Sequence, residues 1–391
     1  MRILFIASQF TDAQTGAGVY ARLLVEGVAE QLPDAKITVL CTGEICHSSE
    51  KMRFVSVRTP YKDNSLGGFL LLRRRFKVKV RELLQSNDYD IIHFTNQSEC
   101  FKIRETRAMQ IVTVHDYCAA ECPINPLSYL NIYPAWFWFP RWAYLMVRKV
   151  DEKKRFPQAD FVIAVSDYEK RALVKAYHLD PSSVVTVYNG IPLRKEGEQT
   201  DTARPKKRDH IIKILFVGTN VIQKGLLNLL SAVDLLIKKN YSVNLTVVGA
   251  LGRAKNSVEQ AIQKLSIADN VTLAGYVPYD QIGEYYLQAD LFALPSPDES
   301  FGLSYIEAML YGVPVVGSKT GAGPEVITHL RDGVLCDPYN ISDITEKLQE
   351  LIDNESLANK IRINALEKAK KFSVDLMAAN TIELYNAKTR Q

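Results

Sequence analysis

Short apolar runs typical of buried strands alternate with helix-like segments along most of this 391-residue chain. The strand-like runs of the first half are Arg2–Ala7, Ile37–Cys41, Ile91–Phe94, Ile111–Val114, Phe161–Val165 and Val184–Val187. Such runs joined by helices indicate a parallel sheet that is covered on both faces. The alternation predicts an α/β fold of two doubly wound, Rossmann-like domains that face each other across a cleft. Ligands are expected at the carboxyl ends of the strands.

A polar segment divides the alternation into two series. Pro192–His210 holds almost no apolar residue, which is typical of a solvated connection between domains. The second series begins at Ile211, so we expect one domain over residues 1–190 and another over 191–372. The last segment, 373–391, has apolar side chains at helical spacing and could belong to the second domain or cross back to the first.

Composition and charge narrow the class of protein. The net charge is +4, and residues 1–190 carry 25 Lys and Arg against 20 Asp and Glu, an excess too small for a dedicated nucleic-acid binder. Six cysteines without a C-x-x-C pair indicate reduced thiols rather than disulfides or a zinc site. The apolar start, residues 1–7, is predicted to be a strand rather than a signal peptide, and no apolar run reaches about 18 residues. We therefore expect a cytoplasmic protein.

Two glutamates eight residues apart, Glu299 and Glu307, stand in the segment that most directly indicates chemistry. The order is strand, proline-rich loop, acid, glycine and helix, which puts Glu299 at the mouth of a sheet and Glu307 about one turn into the helix. The N–H groups near Phe301, Gly302 and Leu303 would be open at the helix start, and an open helix N-terminus binds anions. A phosphate beside two carboxylates suggests a ligand with a diphosphate and several hydroxyls, a nucleotide-sugar.

Two glycine-containing turns are further candidates. Gly16–Ala21 matches G-x-G-x-x-A, but it lies nine residues after the first strand, and no acid ends the second strand, as dinucleotide binding would require. The alternatives are a loop that lets the backbone approach a phosphate or sugar, and a plain helix-starting turn. In the second series, Gly218 and Thr219 end a strand and Lys224 precedes a helix. That lysine could neutralise a diphosphate or simply be solvated.

Two other strand ends could contact a ligand. His115 could hydrogen-bond a sugar hydroxyl or steady a departing phosphate, although a lone histidine in this position is often structural. Gly275, Tyr276 and Val277 close another strand, and their backbone groups could line a flat base. A tight turn explains this second pattern equally well.

Two segments of the first domain could face a membrane or an acceptor. The first, 69–84, has two sets of residues that we expect on opposite sides of a helix, apolar Leu72, Phe76, Val80 and Leu83 and basic Arg73, Arg74, Lys77 and Arg81. This pattern is typical of a helix lying on an anionic lipid surface. The second segment, 129–149, is rich in aromatic residues and ends in Arg148 and Lys149, which suits an interface belt or a sugar-stacking platform. An ordinary core helix is the alternative for each segment.

Taken together, these segments resemble the retaining GT-B-fold glycosyltransferases of the group 1 (family 4) type. The resemblance covers nearly the whole chain and rests on the order of its motifs, which are Thr113–Asp116, Tyr188–Ile191, Lys224-Gly225, Gly275–Val277, the E-x(7)-E run Glu299–Glu307 and Gly321–Glu325.

The resemblance implies roles for individual residues. Glu299 would contact donor-sugar hydroxyls near the reacting carbon, Glu307 would hold the ribose hydroxyls, and Lys224 would bind the diphosphate. His115 would touch the sugar from the acceptor side. The other donor-binding residues would be Gly16, Gly18, Gly218, Thr219, Gly275, Tyr276, Val277, Ser300, Phe301, Gly302 and Leu303. The first domain would bind the acceptor and the second the donor, with 373–391 crossing back to the first.

The activity implied is transfer of a hexosyl-type unit from a UDP or GDP sugar to a glycan or lipid-linked hydroxyl. The configuration would be retained, and neither metal nor cofactor would be used. The product would belong to cell-envelope or exopolysaccharide assembly, and the enzyme could act at the inner face of the membrane. The chain departs from the family in lacking an arginine before the Lys-Gly pair, where it has Thr219, Asn220 and Gln223; Arg253 is a candidate stand-in. The alternatives are an epimerase or hydrolase on the same fold, and a non-catalytic, membrane-associated binding paralogue.

Overall fold

The computed structural model describes residues 1–11, 16–43, 51–58, 66–104, 106–116, 135–193 and 211–387. The chain divides into two compact units. The first contains Met1–Gly190 and Val374–Gln391, and the second contains Ile191–Ser373.

The first unit is built on a sheet of parallel strands. They are β1 (Arg2–Ile6), β2 (Lys36–Cys41), β3 (Met52–Ser56), β4 (Ile91–Phe94), β5 (Met109–Val114), β6 (Phe161–Ala164) and β7 (Val184–Thr186). Their order across the sheet is β3-β2-β1-β4-β5-β6-β7. Ile3, Leu4, Phe5 and Ile6 of the central strand are fully buried, as an all-apolar strand covered on both faces must be. The helices described between these strands are α1 (Gly16–Gln31), α2 (Leu66–Ser86), α3 (Ala135–Arg155) and α4 (Asp167–Tyr177).

The second unit repeats this plan. Its strands are β8 (Ile212–Val217), β9 (Val243–Val248), β10 (Val271–Gly275), β11 (Leu291–Leu294), β12 (Val315–Ser318) and β13 (Val334–Cys336), in the order β10-β9-β8-β11-β12-β13, all parallel. Its helices are α5 (Leu226–Lys238), α6 (Lys255–Leu265), α7 (Ile282–Gln288), α8 (Leu303–Leu310), α9 (Gly323–Val326), α10 (Ile341–Asp353) and α11 (Glu355–Ala369). The positive φ of Gly312 follows the end of α8, as predicted for a glycine stop.

The final helix, α12 (Val374–Ala387), belongs to the first unit. It packs on α1 at Gly27, where a Cβ would lie 2.9 Å from Val374 Cγ1. The Gln31 side chain donates to the Asp375 carbonyl at 2.8 Å, which fixes the register of the two helices. The chain therefore returns to its first unit after building the second.

Several sequence predictions differ from the structure in detail. The sequence of residues 279–288 predicts one helix, but Tyr279–Gln281 form a 3-10 turn before α7. The apolar run at 313–317 predicts a strand, and the strand in the structure, β12, begins two residues later. β3, β13 and helices α4, α9, α10 and α11 were not predicted.

Candidate active site

The second sheet has a point where the direction of chain winding reverses. From β8 the chain builds β9 and β10 on one side, and then returns to place β11 on the other side of β8. The loops after β8 and β11 therefore leave towards opposite faces and open a crevice between their strand ends. Lys224 follows β8 and Glu299 follows β11, so the fold itself brings these two sequence-predicted residues to the same place.

The backbone around Lys224 is held by a close approach of two loops. Gly225, the N-cap of α5, has φ 81°, and a Cβ at this position would lie 2.0 Å from the Pro295 carbonyl oxygen. Only glycine meets both conditions without distortion. The Lys-Gly pair thus seats the lysine against the loop that carries Glu299.

Lys224 and Glu299 form an ion pair. Lys224 Nζ donates to Glu299 Oε2 at 2.5 Å, and the side chains are 27% and 9% exposed. The loop after β12 supports Glu299 from behind, because the Ala322 amide donates to the Glu299 carbonyl at 2.8 Å. The Gly321 turn therefore holds the backbone of Glu299 in place. The result is a cation and a carboxylate at the mouth of the crevice, each able to exchange its partner for a charged or hydroxylated ligand.

The start of α8 lies next along the chain. Its N-cap, Gly302, has φ 92° and no side-chain cap, and the amides of Gly302 and Leu303 donate no hydrogen bond to any described residue. The Tyr305 hydroxyl donates to the Leu294 carbonyl at 2.7 Å and so ties the helix to the end of β11. Open amides at a helix start can hold an anion.

Glu307, one turn into α8, has a different partner from Glu299. Its Oε2 accepts a hydrogen bond from the Tyr286 hydroxyl at 2.9 Å. Burial raises the pKa of Glu307 to about 7, and hydrogen bonds from Tyr286 and Tyr279 lower it by less. The carboxyl group therefore titrates near neutral pH.

The carboxyl ends of β8, β9 and β10 lie in close contact through backbone atoms. A Cβ on Gly249 would lie 1.9 Å from the Gly218 carbonyl oxygen, and the Gly249 amide donates to the Gly275 carbonyl at 2.7 Å. Beyond Gly275, Tyr276 is exposed and Val277 is buried. This edge is thus a backbone surface with one exposed ring beside it.

The remaining donor-side candidates lie around these strand ends. Thr219 and Arg253 are exposed, and Ser300 is partly exposed. Arg253 lies in the 3-10 turn Gly252–Ala254 that follows β9, the strand beside β8. Its part in diphosphate binding stays a prediction.

In the first unit, His115 directly follows β5. Its Nε2 lies 2.9 Å from the Thr95 carbonyl oxygen, which can only accept, so this nitrogen carries the proton. Burial lowers the pKa of His115, which keeps the ring neutral. Nδ1 is then an acceptor, and it bonds to no described residue. A neutral histidine in this state suits a hydroxyl donor better than a phosphate.

A buried hydrogen-bond chain runs behind His115. The Tyr20 ring packs edge-on against His115 at 4.4 Å, and its hydroxyl lies 3.1 Å from Thr113 Oγ1. Thr113 also bonds His93 Nε2 at 2.8 Å, and His93 Nδ1 bonds the Tyr385 hydroxyl of α12 at 2.6 Å. Because Tyr20 and Gly18 are buried on the first turns of α1, this chain ties the helix start to His115. Gly16, at the tip of the helix, is exposed.

The segments 69–84 and 129–149 were considered for contact with a membrane or an acceptor, and the structure describes part of each. The apolar face of 69–84 packs into the core of the first unit, which favours the core-helix alternative. Arg73 was predicted on the solvent side and is buried, because its guanidinium pairs with Asp151 of α3 and donates to the Cys100 carbonyl. Arg148 is buried as well and bonds Glu152 at 2.8 Å. Most of 129–149 lies outside the residues whose side chains are described.

Other expectations concern cysteines and membrane spans. Cys41, Cys100 and Cys336 are free and buried, and Cys46, Cys118 and Cys122 lie outside the described residues. Within the described ranges, three or more His, Cys, Asp or Glu side chains nowhere converge as a metal site would need. Over the same ranges, every helix is too short or too polar to cross a bilayer.

Two family models match the chain in succession. One, described as Glycosyltransferase Family 4, matches residues 15–195, and the other, Glycosyl transferases group 1, matches residues 198–368. The chain belongs to the group 1 glycosyltransferases.

Curated relatives of this glycosyltransferase are 28% identical to it over the residues that match. An uncharacterized 41.2 kDa protein in the cps region of Klebsiella pneumoniae is 28% identical over 282 residues, which is 71% of this chain and 72% of that protein. D-inositol 3-phosphate glycosyltransferase from a Nocardioides species is 28% identical over 255 residues, or 61% of this chain and 56% of that enzyme. The match thus spans little more than half of the second relative.

Solved structures show the fold of this glycosyltransferase. Sucrose-phosphate synthase from Thermosynechococcus elongatus aligns with a TM-score of 0.76 at 18% identity, covering 100% of this chain and 99% of that one. Anabaena HepE in complex with UDP and glucose aligns with a TM-score of 0.71 at 19% identity, covering 99% and 100%. With the two parallel sheets, these neighbours identify a two-domain GT-B fold.

Proposed function

We propose that this glycosyltransferase transfers a hexosyl unit from a nucleoside diphosphate sugar to an acceptor hydroxyl and retains the anomeric configuration. The observation that carries the proposal is the Lys224–Glu299 pair at the mouth of the crevice, beside the open start of α8. The cation and the amides can bind a diphosphate, and the Glu299 carboxylate can accept hydrogen bonds from the hydroxyls of a sugar ring. These groups occur together in the second unit.

The chemistry follows from an exchange of partners. An incoming diphosphate takes the Lys224 ammonium, and the Glu299 carboxylate is released to accept hydrogen bonds from sugar hydroxyls. As the glycosidic bond breaks, negative charge grows on the leaving phosphate. Lys224 and the amides of Gly302 and Leu303 stabilise that charge, which is the role a metal ion has in other transferases. The departing phosphate itself steadies the positive charge on the sugar ring.

The other roles divide between the two units. Glu307 binds the ribose hydroxyls, and the backbone at Gly218 and Gly275 lies against the nucleotide. His115 accepts a hydrogen bond from a sugar hydroxyl through Nδ1. Since the loop between β8 and Lys224 contains no arginine, that lysine bears a larger share of the diphosphate charge. Arg253, in the turn after the neighbouring strand β9, is the residue that we propose to assist it.

The test is a panel of nucleotide-sugars followed by product analysis. We expect at least one UDP or GDP sugar to raise the melting temperature, because a ligand that binds only the folded state stabilises it. Proton NMR of the product should then show the donor's own anomeric configuration. Inversion would remove the retaining assignment, and binding of no donor would remove the proposal.

Incubation with donor alone separates the alternatives. An epimerase converts the donor sugar to an isomer when no acceptor is present. A hydrolase releases free sugar as fast without an acceptor as with one. A non-catalytic binding protein leaves the donor intact even with acceptor present. We expect slow hydrolysis at most, and faster nucleotide release when a suitable acceptor is added.

We place the acceptor at a membrane surface, as in cell-envelope or exopolysaccharide assembly. Leu70, Arg74, Val78 and Arg81 lie on one face of α2, and Leu70 and Val78 are more than half exposed. Apolar tips between cations suit anionic headgroups. Flotation with phosphatidylglycerol vesicles should recover the protein, and the Arg74→Gln, Arg81→Gln double variant should float less. Equal flotation of both proteins would remove this face from the proposal.

A further inference from the structure

Glu307 is held by a cluster of tyrosines around the buried Tyr286, and no sequence motif marks this cluster. Tyr286 of α7 is 1% exposed, and its ring stacks on Tyr311 with a centroid distance of 5.4 Å and an interplanar angle of 15°. It also contacts Phe292 of β11 at 5.8 Å. The ring therefore has little freedom, and its hydroxyl is fixed in position.

The Tyr286 hydroxyl has two acceptors at unequal distances. Glu307 Oε2 lies at 2.9 Å and the Ser304 carbonyl at 3.4 Å, so the carboxylate is the main acceptor. Burial, and next the charge of Glu307, raise the pKa of Tyr286 well above its ordinary value, so the hydroxyl keeps its proton and donates it to the carboxylate. The cluster thus supplies a permanent donor to one carboxylate oxygen.

We propose that Tyr286 is a positioning residue that holds Glu307 ionised and oriented for the donor, and so sets the pH at which the nucleotide-sugar binds. This inference rests on the proposed function, in which Glu307 binds the ribose hydroxyls. Only an ionised carboxylate can accept from both hydroxyls of a ribose without spending a proton of its own.

The surroundings of Glu307 make this dependence strong. Its pKa is about 7 because burial outweighs two hydrogen bonds, one from Tyr286 and one from Tyr279 in the preceding 3-10 turn. Both are neutral donors near pH 7, and Tyr311 at the end of α8 packs on Tyr286. Donor binding should therefore strengthen as the pH rises through about 7, with affinity about tenfold lower at pH 6 than at pH 8.

The experiment measures donor affinity by calorimetry between pH 6 and 8.5 in four proteins. UDP-glucose and GDP-mannose are the probes, since their doubly esterified diphosphates do not titrate in this range. Tyr286→Phe keeps the ring, so the fold is retained, but it removes the hydrogen bond. In Tyr286→Phe, the pH at which donor affinity reaches half of its maximum should move up by about one unit. Glu307→Gln should bind the donor weakly at every pH.

Tyr241→Phe is the matched control. The Tyr241 hydroxyl also donates to a carboxylate, Asp353 Oδ2 at 2.7 Å, but on an exposed part of the same unit. It should keep the wild-type profile. A Tyr286→Phe profile identical to wild type would overturn the inference while leaving the proposed function in place.

A second readout needs no donor. Infrared spectroscopy follows the carboxyl band that disappears in Glu307→Gln, and this band should titrate at higher pH in Tyr286→Phe than in wild type. If the wild-type protein binds neither probe, the proposed function loses its support. An unshifted carboxyl band would independently refute the link between Tyr286 and Glu307.

Discussion

Replacing Lys224 with methionine tests the ion pair at the centre of the site. Methionine has nearly the same length, so packing against Gly225 and Pro295 is kept and only the charge is removed. Losing one group that stabilises transition-state charge costs about 10²–10³-fold in rate, or about 3–4 kcal/mol. We expect a loss of at least about 10²-fold in kcat at saturating donor.

The same change should destabilise the fold modestly. Glu299 is 9% exposed and would keep its charge without a partner. Breaking a fully buried pair costs about 3–5 kcal/mol, but Lys224 is 27% exposed and water can reach the pair. We therefore expect about 1–2 kcal/mol, or roughly 2–8 °C in Tm for a unit of this size.

The double variant Lys224→Met, Glu299→Gln separates catalysis from stability. Without the unpaired charge, its Tm should return close to the wild-type value, while its transfer rate stays low.

Lys238→Met is the control for losing a lysine partner. Lys238 pairs with Asp234 at 2.6 Å, and that acid is equally buried, but the pair lies at the far end of α5. Nucleoside diphosphate release from the donor that wild type uses is the assay. A near-normal rate in Lys224→Met, or a rescued rate in the double variant, would refute this role.

Three further outcomes are expected. Glu307→Ala should raise the donor KM by about 10–100-fold with kcat changed little, as for losing hydrogen bonds to a charged group, and an unchanged KM would remove it from the ribose role. Gly225→Ala should cost several kcal/mol in urea unfolding because its Cβ would lie 2.0 Å from the Pro295 carbonyl oxygen, whereas Gly252→Ala, which has positive φ but open space, should cost only about 1 kcal/mol. Burial lowers the pKa of His93 to about 3, so the unfolded state binds its proton first. The contribution of His93 to stability should therefore fall by about 2 kcal/mol between pH 7 and pH 5, and it is measured as the difference between the urea-unfolding free energies of wild type and His93→Gln across that range.

The fold was predictable because its strands are buried on both faces. A short, mostly apolar run such as Ile91–Phe94 predicts a buried strand in a long α/β chain, and the structure has the same bounds. β3 was missed because it is a partly exposed edge strand that includes Arg53. β13, an edge strand of three residues, was missed as well. The burial of Arg73 was missed for a different reason. Helical spacing gives the side of a helix but not which other helix covers that side.

The candidate site was predictable only where a residue belongs to a local sequence pattern of its own. Lys224-Gly225 and Glu299 could be read from strand, turn and helix order, and the reversal of winding at β8 and β11 explains why they meet. Tyr286 lies 21 residues before Glu307. No local pattern marks that contact, since it depends on how α7 packs beside α8. The ion pair between Lys224 and Glu299 was also not predicted, because sequence does not show which partner a charge takes.

A crystal structure of the protein with an intact nucleotide-sugar tests the central claim most directly. The account predicts the diphosphate at the amides of Gly302 and Leu303, with Lys224 Nζ moved from Glu299 to a phosphate oxygen and Glu299 on sugar hydroxyls. A nucleotide bound away from α8, or Lys224 and Glu299 still paired with each other beside it, would contradict the account.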